Sequence, residues 1–540
     1  MLHDKDLVSI QEVRTKVAKA YAASLKYRSY SQEQVDAIVE AMAAAGRANA
    51  KRLAQMAVEE TGYGNAPDKT VKNLLGADLL ARSLRGMRTI GVLRELRDER
   101  MTEIAVPLGV VAAILPVTNP TSTVIYKTLI SLKAGNAVVI APHPHAYKCT
   151  CATADVLYQA ALQAGAPEDI IQCVGASTIE GTSALMKHER TAVILATGGH
   201  GIVRAAYSSG TPALGVGPGN TPVLIDRSAD IPEAVAKTVI GKMFDYGTVC
   251  TSEQAIVAEE SLREQIVAEL KARKAFFCNE AQQQAMARVL VTPSFTINSK
   301  CVGQSPVKIA QMAGFEVPAD TTVIMVELKG VGREHPLSME KLSPVLALYF
   351  RPDWAACLDA CEALMRFGGL GHTCVIYATD DARIREFGMR MPAMRVVVNT
   401  PAPQGSTGIT TNLPPAMTLG CGAMAGNSTG DNVGPMHLLN VKRIAHAVRK
   451  PEEAFTAPAE DEPAQAGPVA RHAVAAAVDR FMASRGMGGA AATPAPVAPR
   501  VTAAAPANVA AQVVDRFLSQ RSTAPAEPAP AALSCKPGGA

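Results

Sequence analysis

Gly109-Val110-Val111-Ala112-Ala113-Ile114-Leu115-Pro116 decides the fold class of this chain. A short, wholly apolar run between Gly and Pro reads as a strand buried on both faces, as a parallel sheet requires. The sequence that follows keeps the same rhythm. Thr121–Leu132 predicts a helix, Ala137–Ala141 a strand, Ala152–Ala164 a helix and Ile170–Val174 a strand. Thr191–Ala196 and Ala213–Val216 predict two more strands. Strands alternating with helices make βαβ units, so the expected fold class is α/β with a parallel sheet. Ligands bind at the carboxyl ends of such strands. The loops after Leu115, Ala141, Ala196 and Val216 are therefore the ones to inspect.

On either side of this series the pattern changes. Residues 8–60 are rich in Ala, Glu, Lys and Arg and read as helical. A second α/β series runs from Val223 to Asn399, with a helix at Ile231–Phe244 and strands at Gln254–Val257, Val345–Phe350 and Cys374–Tyr377. Residues 400–450 are glycine-rich and read as a return segment. At roughly 150 residues per domain, a chain of 540 residues suggests about three units. Hydrophobic residues at 48% with aromatics at only 4% favour an Ala/Val/Ile/Leu core over an aromatic-rich all-β one. A net charge of +4, from 53 basic and 49 acidic residues, gives no case for nucleic acid or an anionic membrane as partner. The 11 cysteines are scattered and odd in number, with no Cys-x-x-Cys pair, which reads as reduced intracellular thiols. Met1-Leu2-His3-Asp4-Lys5-Asp6 is charged and no apolar stretch follows it, so no secretory signal is expected. Ile104–Val117 is too short, and too broken by proline, to span a bilayer.

Composition shifts again near residue 450, beyond which Ala and Pro dominate. The expectation for 451–540 is a largely disordered C-terminal tail. It holds a repeat: Val478-Asp479-Arg480-Phe481 returns as Val514-Asp515-Arg516-Phe517. On a helix, Val474, Ala477, Val478, Phe481 and Met482 form one apolar stripe, matched by Ala510, Val513, Val514, Phe517 and Leu518. Two amphipathic peptides, 474–486 and 509–522, read as docking segments on flexible linkers; accidental helicity in an Ala-rich tail is the alternative.

Several polar residues sit where chemistry could be done. Cys250, in Tyr246-Gly247-Thr248-Val249-Cys250-Thr251, lies between a Gly turn and a strand-like run, where a thiol can be accessible. Taken alone it is equally a small buried hydrophobe. Asn119 precedes Pro120 and is either a turn residue or an amide donor. Thr197-Gly198-Gly199 follows a strand and precedes a helix, so its N–H groups could meet a pyrophosphate, or it is an ordinary Gly turn. Pro142 and His143 follow another strand and should border an adenosine. Gly217-Pro218-Gly219 lacks the third glycine of a dinucleotide fingerprint. Glu340, taken alone, reads as a solvated surface residue. His372, in Gly371-His372-Thr373, is a proton carrier or a packing residue. The His and Cys spacings match no zinc site, and no metal is expected.

Taken in order, these segments resemble the aldehyde dehydrogenase superfamily over about residues 8–450. They are Pro116–Thr121, Thr197–Gly199, Gly215–Pro222, the Cys250 segment, Glu340-Lys341-Leu342-Ser343-Pro344, Gly368–Thr373, Asn399-Thr400-Pro401, Thr418–Gly422 and Gly426-Asn427-Ser428. They look most like the acylating branch, including the aldehyde dehydrogenase half of bifunctional alcohol/aldehyde dehydrogenases. The resemblance implies an aldehyde dehydrogenase fold, with a Rossmann-like cofactor domain (1–222 and 412–450, with oligomerisation segments) and an α/β catalytic domain (223–411). It implies attack of Cys250 on an aldehyde, with Asn119 and the Cys250 backbone N–H stabilising the alkoxide. NAD would be held by Thr197, Gly198, Gly199, Pro142, His143, Gly217 and Glu340. His372 would transfer a proton or orient coenzyme A. Hydrolytic relatives carry a general-base Glu where this chain has Val216, so the resemblance implies transfer of the acyl group to coenzyme A at the same nucleotide site. Ala141 stands where those relatives often have a ribose-binding Lys, and nothing basic adjoins it, so NAD is expected over NADP.

The tail repeats resemble the encapsulation peptides of bacterial microcompartments. That implies shell proteins as partners, the microcompartment lumen as location, and propionaldehyde or acetaldehyde as substrate. A homodimer or homotetramer is expected. The alternatives are a sulfoacetaldehyde-type acylating enzyme, a hydrolytic enzyme yielding the free acid, and a catalytically silent scaffold.

Overall fold

Three sheets organise the chain in a computed structural model, which describes residues 4–455 apart from Ala176. The two tail peptides lie outside the described residues. Before the first strand come two long helices, Lys5–Tyr27 and Gln32–Thr61, the second opened by a Ser31/Gln34 capping box. The first sheet pairs β1 (Val92–Leu96) with β2 (Met101–Pro107) as an antiparallel hairpin. Its third strand comes from the far end of the unit, as described below.

The expected five-stranded parallel sheet is present. It holds β3 (Val110–Ile114), β4 (Ala137–Ala141), β5 (Ile171–Cys173), β6 (Thr191–Thr197) and β7 (Ala213–Val216), in the order β5-β4-β3-β6-β7. Every residue of β3 and β4 is buried, which is why both read as unbroken apolar runs. Register places Ile114 opposite both Ala141 and Ala196, and Thr197 opposite Val216. The four strand ends singled out by sequence therefore share one edge. From β3 the chain winds outward through β4 and β5, then returns to the other side for β6 and β7. The crevice between β3 and β6 is the topological switch point, the usual ligand position in such sheets.

The second series forms a seven-stranded parallel sheet. Its strands are β8 (Thr221–Ile225), β9 (Glu253–Glu259), β10 (Phe276–Phe277), β11 (Ile324–Glu327), β12 (Val345–Arg351), β13 (Gly371–Tyr377) and β14 (Ala393–Val398). The order is β10-β11-β12-β9-β8-β13-β14. Alternate residues of β12 enter two apolar cores, Ala347 and Tyr349 on one face, Leu346 and Leu348 on the other. A separate core joins the N-terminal helices, the five-stranded sheet and Leu419, Val433 and Leu438.

The glycine-rich segment does return. It ends in β15 (Leu439–Ala445), antiparallel to β2 with Val441 opposite Ala105. The β1–β2 hairpin was not foreseen. Its strands mix polar and apolar residues without regular alternation, and Glu103 inside it is an ion-pair centre for Arg94 at 2.5 Å and Arg443 at 2.9 Å. Residues 449–455 belong to a second unit and contain a short helix, Pro451–Ala454. Among the described residues no helix is long and apolar enough to cross a membrane.

Candidate active site

At the switch point opens a cavity of about 920 Å³. Nine of the ten sequence-predicted site residues line it: Cys250, Asn119, Thr197, Gly198, Gly199, Gly217, Pro142, His143 and Glu340. His372 does not. The loops after β3, β4, β6 and β7 all reach this space, so residues distant in sequence meet because parallel strands end together. Val216 lines it too.

Cys250 sits on a loop bent by consecutive left-handed residues, Asp245 and Tyr246 (each φ 51°) and Gly247 (φ 75°). Non-glycine residues held there are strained and need fixing from outside. Gly247 must be glycine, because a Cβ would lie 3.0 Å from the Ser343 backbone. Cys250 is half-buried. Burial, Glu340 and Cys421 push its thiol up to about 12, against the lowering pull of Arg395. At neutral pH the free protein holds this sulfur as a thiol.

Asn119 is the N-cap of the helix Pro120–Lys133, yet its side chain makes no capping bond. An Asn at that place ordinarily caps. Here Asn119 Oδ1 accepts from Lys72 Nζ at 2.7 Å, and Nδ2 donates to the Thr248 carbonyl at 3.0 Å and to Thr118 Oγ1 at 3.2 Å. The amide is thus diverted from its helix toward the Cys250 loop. Lys72 also reaches Asp245 Oδ2 (2.5 Å) and Thr248 Oγ1 (3.1 Å), and Lys69 Nζ meets the same Oδ2 at 2.9 Å. Burial pulls the Lys72 ammonium down to about 8, with Asp245 opposing. Burial alone would raise Asp245, but Lys72 and Lys69 more than offset it and hold the carboxylate below its ordinary value. This network was missed in the sequence. Its helix, Ala66–Leu74, buries Lys69, Lys72 and Asn73 while exposing Val71 and Leu74, the reverse of an amphipathic pattern.

The other end of the cavity suits a dinucleotide. Thr197 Oγ1, at the end of β6, is buried with no partner among the described residues. The helix His200–Tyr207 begins at Gly199 with no side-chain cap, leaving its first N–H groups to a ligand. A Cβ on Gly198 would lie 2.6 Å from Ile202 Cγ2, so the tight turn needs glycine. Glu340 is buried rather than solvated, and its Oε1 accepts from Gly219 N at 3.4 Å. Burial raises its carboxyl to about 8. Sequence reading also missed Lys187, the one lysine on the cavity wall among the described residues. No cluster of metal-ligating side chains occurs among the described residues.

His372 stands behind the wall. It is fully buried on β13, with Nδ1 3.1 Å from Thr373 Oγ1 and Nε2 without a partner among the described residues. Burial and neighbouring Arg395 hold its imidazole neutral down to about 3. Arg395, unforeseen, is itself buried and donates to the carbonyls of Gly420 (2.6 Å) and His372 (3.0 Å).

An aldehyde dehydrogenase family profile matches residues 6–318. The bifunctional aldehyde-alcohol dehydrogenase of Escherichia coli K12 is 41% identical over 444 residues, 81% of this chain and 50% of that protein. The chain spans about half the length of the aldehyde-alcohol dehydrogenases it matches. An acetylating aldehyde dehydrogenase from Geobacillus thermoglucosidasius superposes with a TM-score of 0.82 at 49% identity, over 83% of this chain and 99% of that one. A propionaldehyde dehydrogenase from the fucose utilisation bacterial microcompartment of Clostridium phytofermentans gives 0.73 at 27% identity, over 81% and 98%. One from Rhodopseudomonas palustris, with bound propionyl-CoA, gives 0.72 at 27%, over 80% and 94%. With these likenesses spanning both sheets and a cysteine at their meeting point, the chain belongs to the aldehyde dehydrogenase family.

Proposed function

We propose that this protein oxidises a short-chain aldehyde with NAD⁺ and passes the acyl group to coenzyme A. The carrying observation is that Cys250 and Val216 line the same cavity, a nucleophile with a valine where hydrolytic enzymes keep their general base. Cys250 Sγ gives up its proton to solvent as it attacks the carbonyl carbon, and the C–S bond forms while the carbonyl π pair moves to oxygen, giving a thiohemiacetal alkoxide. Asn119 Nδ2–H, now resting on Thr118, turns to the alkoxide, and such a donor is typically worth about 10²–10³ in rate. NAD⁺, when bound, would supply the hydride acceptor, and Cys250 would be left carrying the acyl group as a thioester. Thr197, Gly198 and Gly199 hold the pyrophosphate, Pro142 and His143 the adenosine, and Glu340 with Gly217 the nicotinamide end. Valine accepts no proton, so water is not activated at position 216 and the thioester waits for the thiol of coenzyme A. His372, neutral and with Nε2 unpartnered among the described residues, is the group assigned to orient coenzyme A. The R. palustris relative with propionyl-CoA and the acetylating G. thermoglucosidasius enzyme support this reading.

Small uncharged aldehydes, propionaldehyde or acetaldehyde, fit better than sulfoacetaldehyde. Among the described residues the cavity wall has no arginine, and its lysine, Lys187, follows the helix Ile179–Met186 and not the Cys250 loop. The division into a cofactor domain (1–222 with 412–450) and a catalytic domain (223–411) is supported by the cores. One draws on residues 13–213 and 416–438, the others on 223–402. The tail pattern and the microcompartment relative support shell proteins as partners and the compartment lumen as location. A homodimer or homotetramer completes the proposal.

Aldehyde and NAD⁺, with and without coenzyme A, test the reaction. Acyl-CoA formation with little turnover when coenzyme A is withheld is expected; full CoA-independent conversion to free acid would overturn it. For location, the fluorescently tagged full chain is compared with a chain ending at 455 in cells making the shell. Foci that survive the truncation would refute targeting by the tail.

A further inference from the structure

We infer that Lys72 is the positioning residue that aims the Asn119 amide at the reacting carbonyl oxygen; this rests on the proposed role of Asn119. An asparagine amide can present either its N–H groups or its oxygen to a ligand, and the wrong face repels an alkoxide. Lysine has three donors and no acceptor, so its 2.7 Å contact fixes Asn119 Oδ1 on the Lys72 side and keeps Nδ2 on the opposite side, where the N–H that rests on Thr118 Oγ1 at 3.2 Å can be exchanged for the oxygen. A cation on the amide oxygen also strengthens the N–H as a donor.

The remaining contacts of Lys72 tie that amide to the nucleophile's own loop. Its other two bonds go to Asp245 and Thr248, and the Thr248 carbonyl takes the second Asn119 N–H. Asp245 is held in turn by Lys69, by the Asn65 backbone N–H at 2.8 Å, and by its own N–H on Asp68 Oδ2 at 2.8 Å. Gly64 permits the approach, since a Cβ there would lie 1.8 Å from Asp245 Oδ1. Donor loop and nucleophile loop thus hang on one ammonium carried by a third segment, the helix Ala66–Leu74.

A buried ion pair can also serve stability alone, and a double-mutant cycle separates the two roles. Single-turnover NADH formation is measured for the full chain, Asn119→Ala, Lys72→Met and the double variant, with NAD⁺ affinity and Tm alongside. Asn119→Ala is expected to lose about 10²–10³-fold and Lys72→Met about 10- to 100-fold, with NAD⁺ affinity within twofold. The double variant should match Asn119→Ala within threefold, because Lys72 has nothing left to aim. Lys72→Gln, which keeps an N–H donor, should recover part of the rate; if Lys72→Met does not fold, Lys72→Gln carries the same cycle. Losses that multiply, or a fully active Lys72→Met beside an impaired Asn119→Ala, would overturn the positioning role while sparing Asn119. A fully active Asn119→Ala would sink both.

Discussion

Replacing Gly219 by alanine should disable the protein through a single methyl group. The Gly219 φ is not in the left-handed region, so alanine meets no backbone strain there. The trouble is contact. A Cβ would lie 1.9 Å from the Cys250 carbonyl oxygen and 3.4 Å from His372 Cδ2. Carbon and oxygen rest no closer than about 3.3 Å, so the Cys250 peptide must retreat by about 1.4 Å. Misplacing a reacting group by about 1 Å is enough for roughly a 10²-fold loss. Overpacking of this kind also destabilises by about 1–3 kcal/mol. The assay is kcat/KM for aldehyde oxidation together with Tm. The control is Gly388→Ala, in the helix Asp381–Arg390, where a Cβ meets nothing within 4 Å. There alanine should stabilise by about 0.5–1 kcal/mol and leave the rate alone. A Gly219→Ala protein with kcat/KM within threefold of the parent would show that the nucleophile does not depend on this wall.

Three further outcomes are expected. With the Cys250 thiol pushed up to about 12, its alkylation by iodoacetamide in the free protein should quicken about tenfold per pH unit between 7 and 9; a plateau below 9 contradicts the buried-thiol assignment. Val216→Glu should raise CoA-independent acid formation by about 10² or more, measured as NADH and free acid without coenzyme A, and no increase would detach Val216 from acyl-group fate. Asp245→Asn should lose about 3–5 kcal/mol at pH 7. A carboxyl held low when folded contributes stability above its unfolded pKa and loses it as pH falls through the folded one. The Tm gap between parent and variant should therefore narrow on acidification below pH 4; a gap constant with pH would deny that Asp245 is ionised in the fold.

The five-stranded sheet was legible in the sequence because strands buried on two faces spell uninterrupted Val/Ile/Ala runs, and β9, β12 and β13 of the second sheet were legible for the same reason. Its β10 and β14, only partly buried, carry a weaker signal and were not named. The β1–β2–β15 sheet was not legible, because its organising residue is Glu103, and a charge inside a strand breaks the apolar signal. The site divides in the same way. Motifs flanked by Gly and Pro were readable, since tight turns such as Gly198 and Gly247 admit few residues. Lys69, Lys72 and Arg395 were not. A lysine on a short helix reads as solvated, and only tertiary placement reveals that this helix turns its lysines inward and Val71 and Leu74 outward. No feature of Ala66–Leu74 alone announces that inversion.

One buried acid still faces the proposed thioester. Glu340 shares the cavity with Cys250, and a carboxylate there could in principle activate water in place of the missing base. Its own burial prevents this. Raised to about 8, the carboxyl is largely protonated at pH 7, and a protonated acid donates hydrogen bonds but abstracts nothing. In the proposed reaction, resistance to water at neutral pH would thus have two physical sources, an aliphatic side chain at 216 and desolvation at 340. They differ in permanence. Val216 cannot ionise at any pH, whereas Glu340 becomes a base as pH rises past its shifted value. In the proposed reaction, the burial that raises the Glu340 carboxyl therefore works alongside Val216 against water at neutral pH, and that help fades as pH rises past the shifted value.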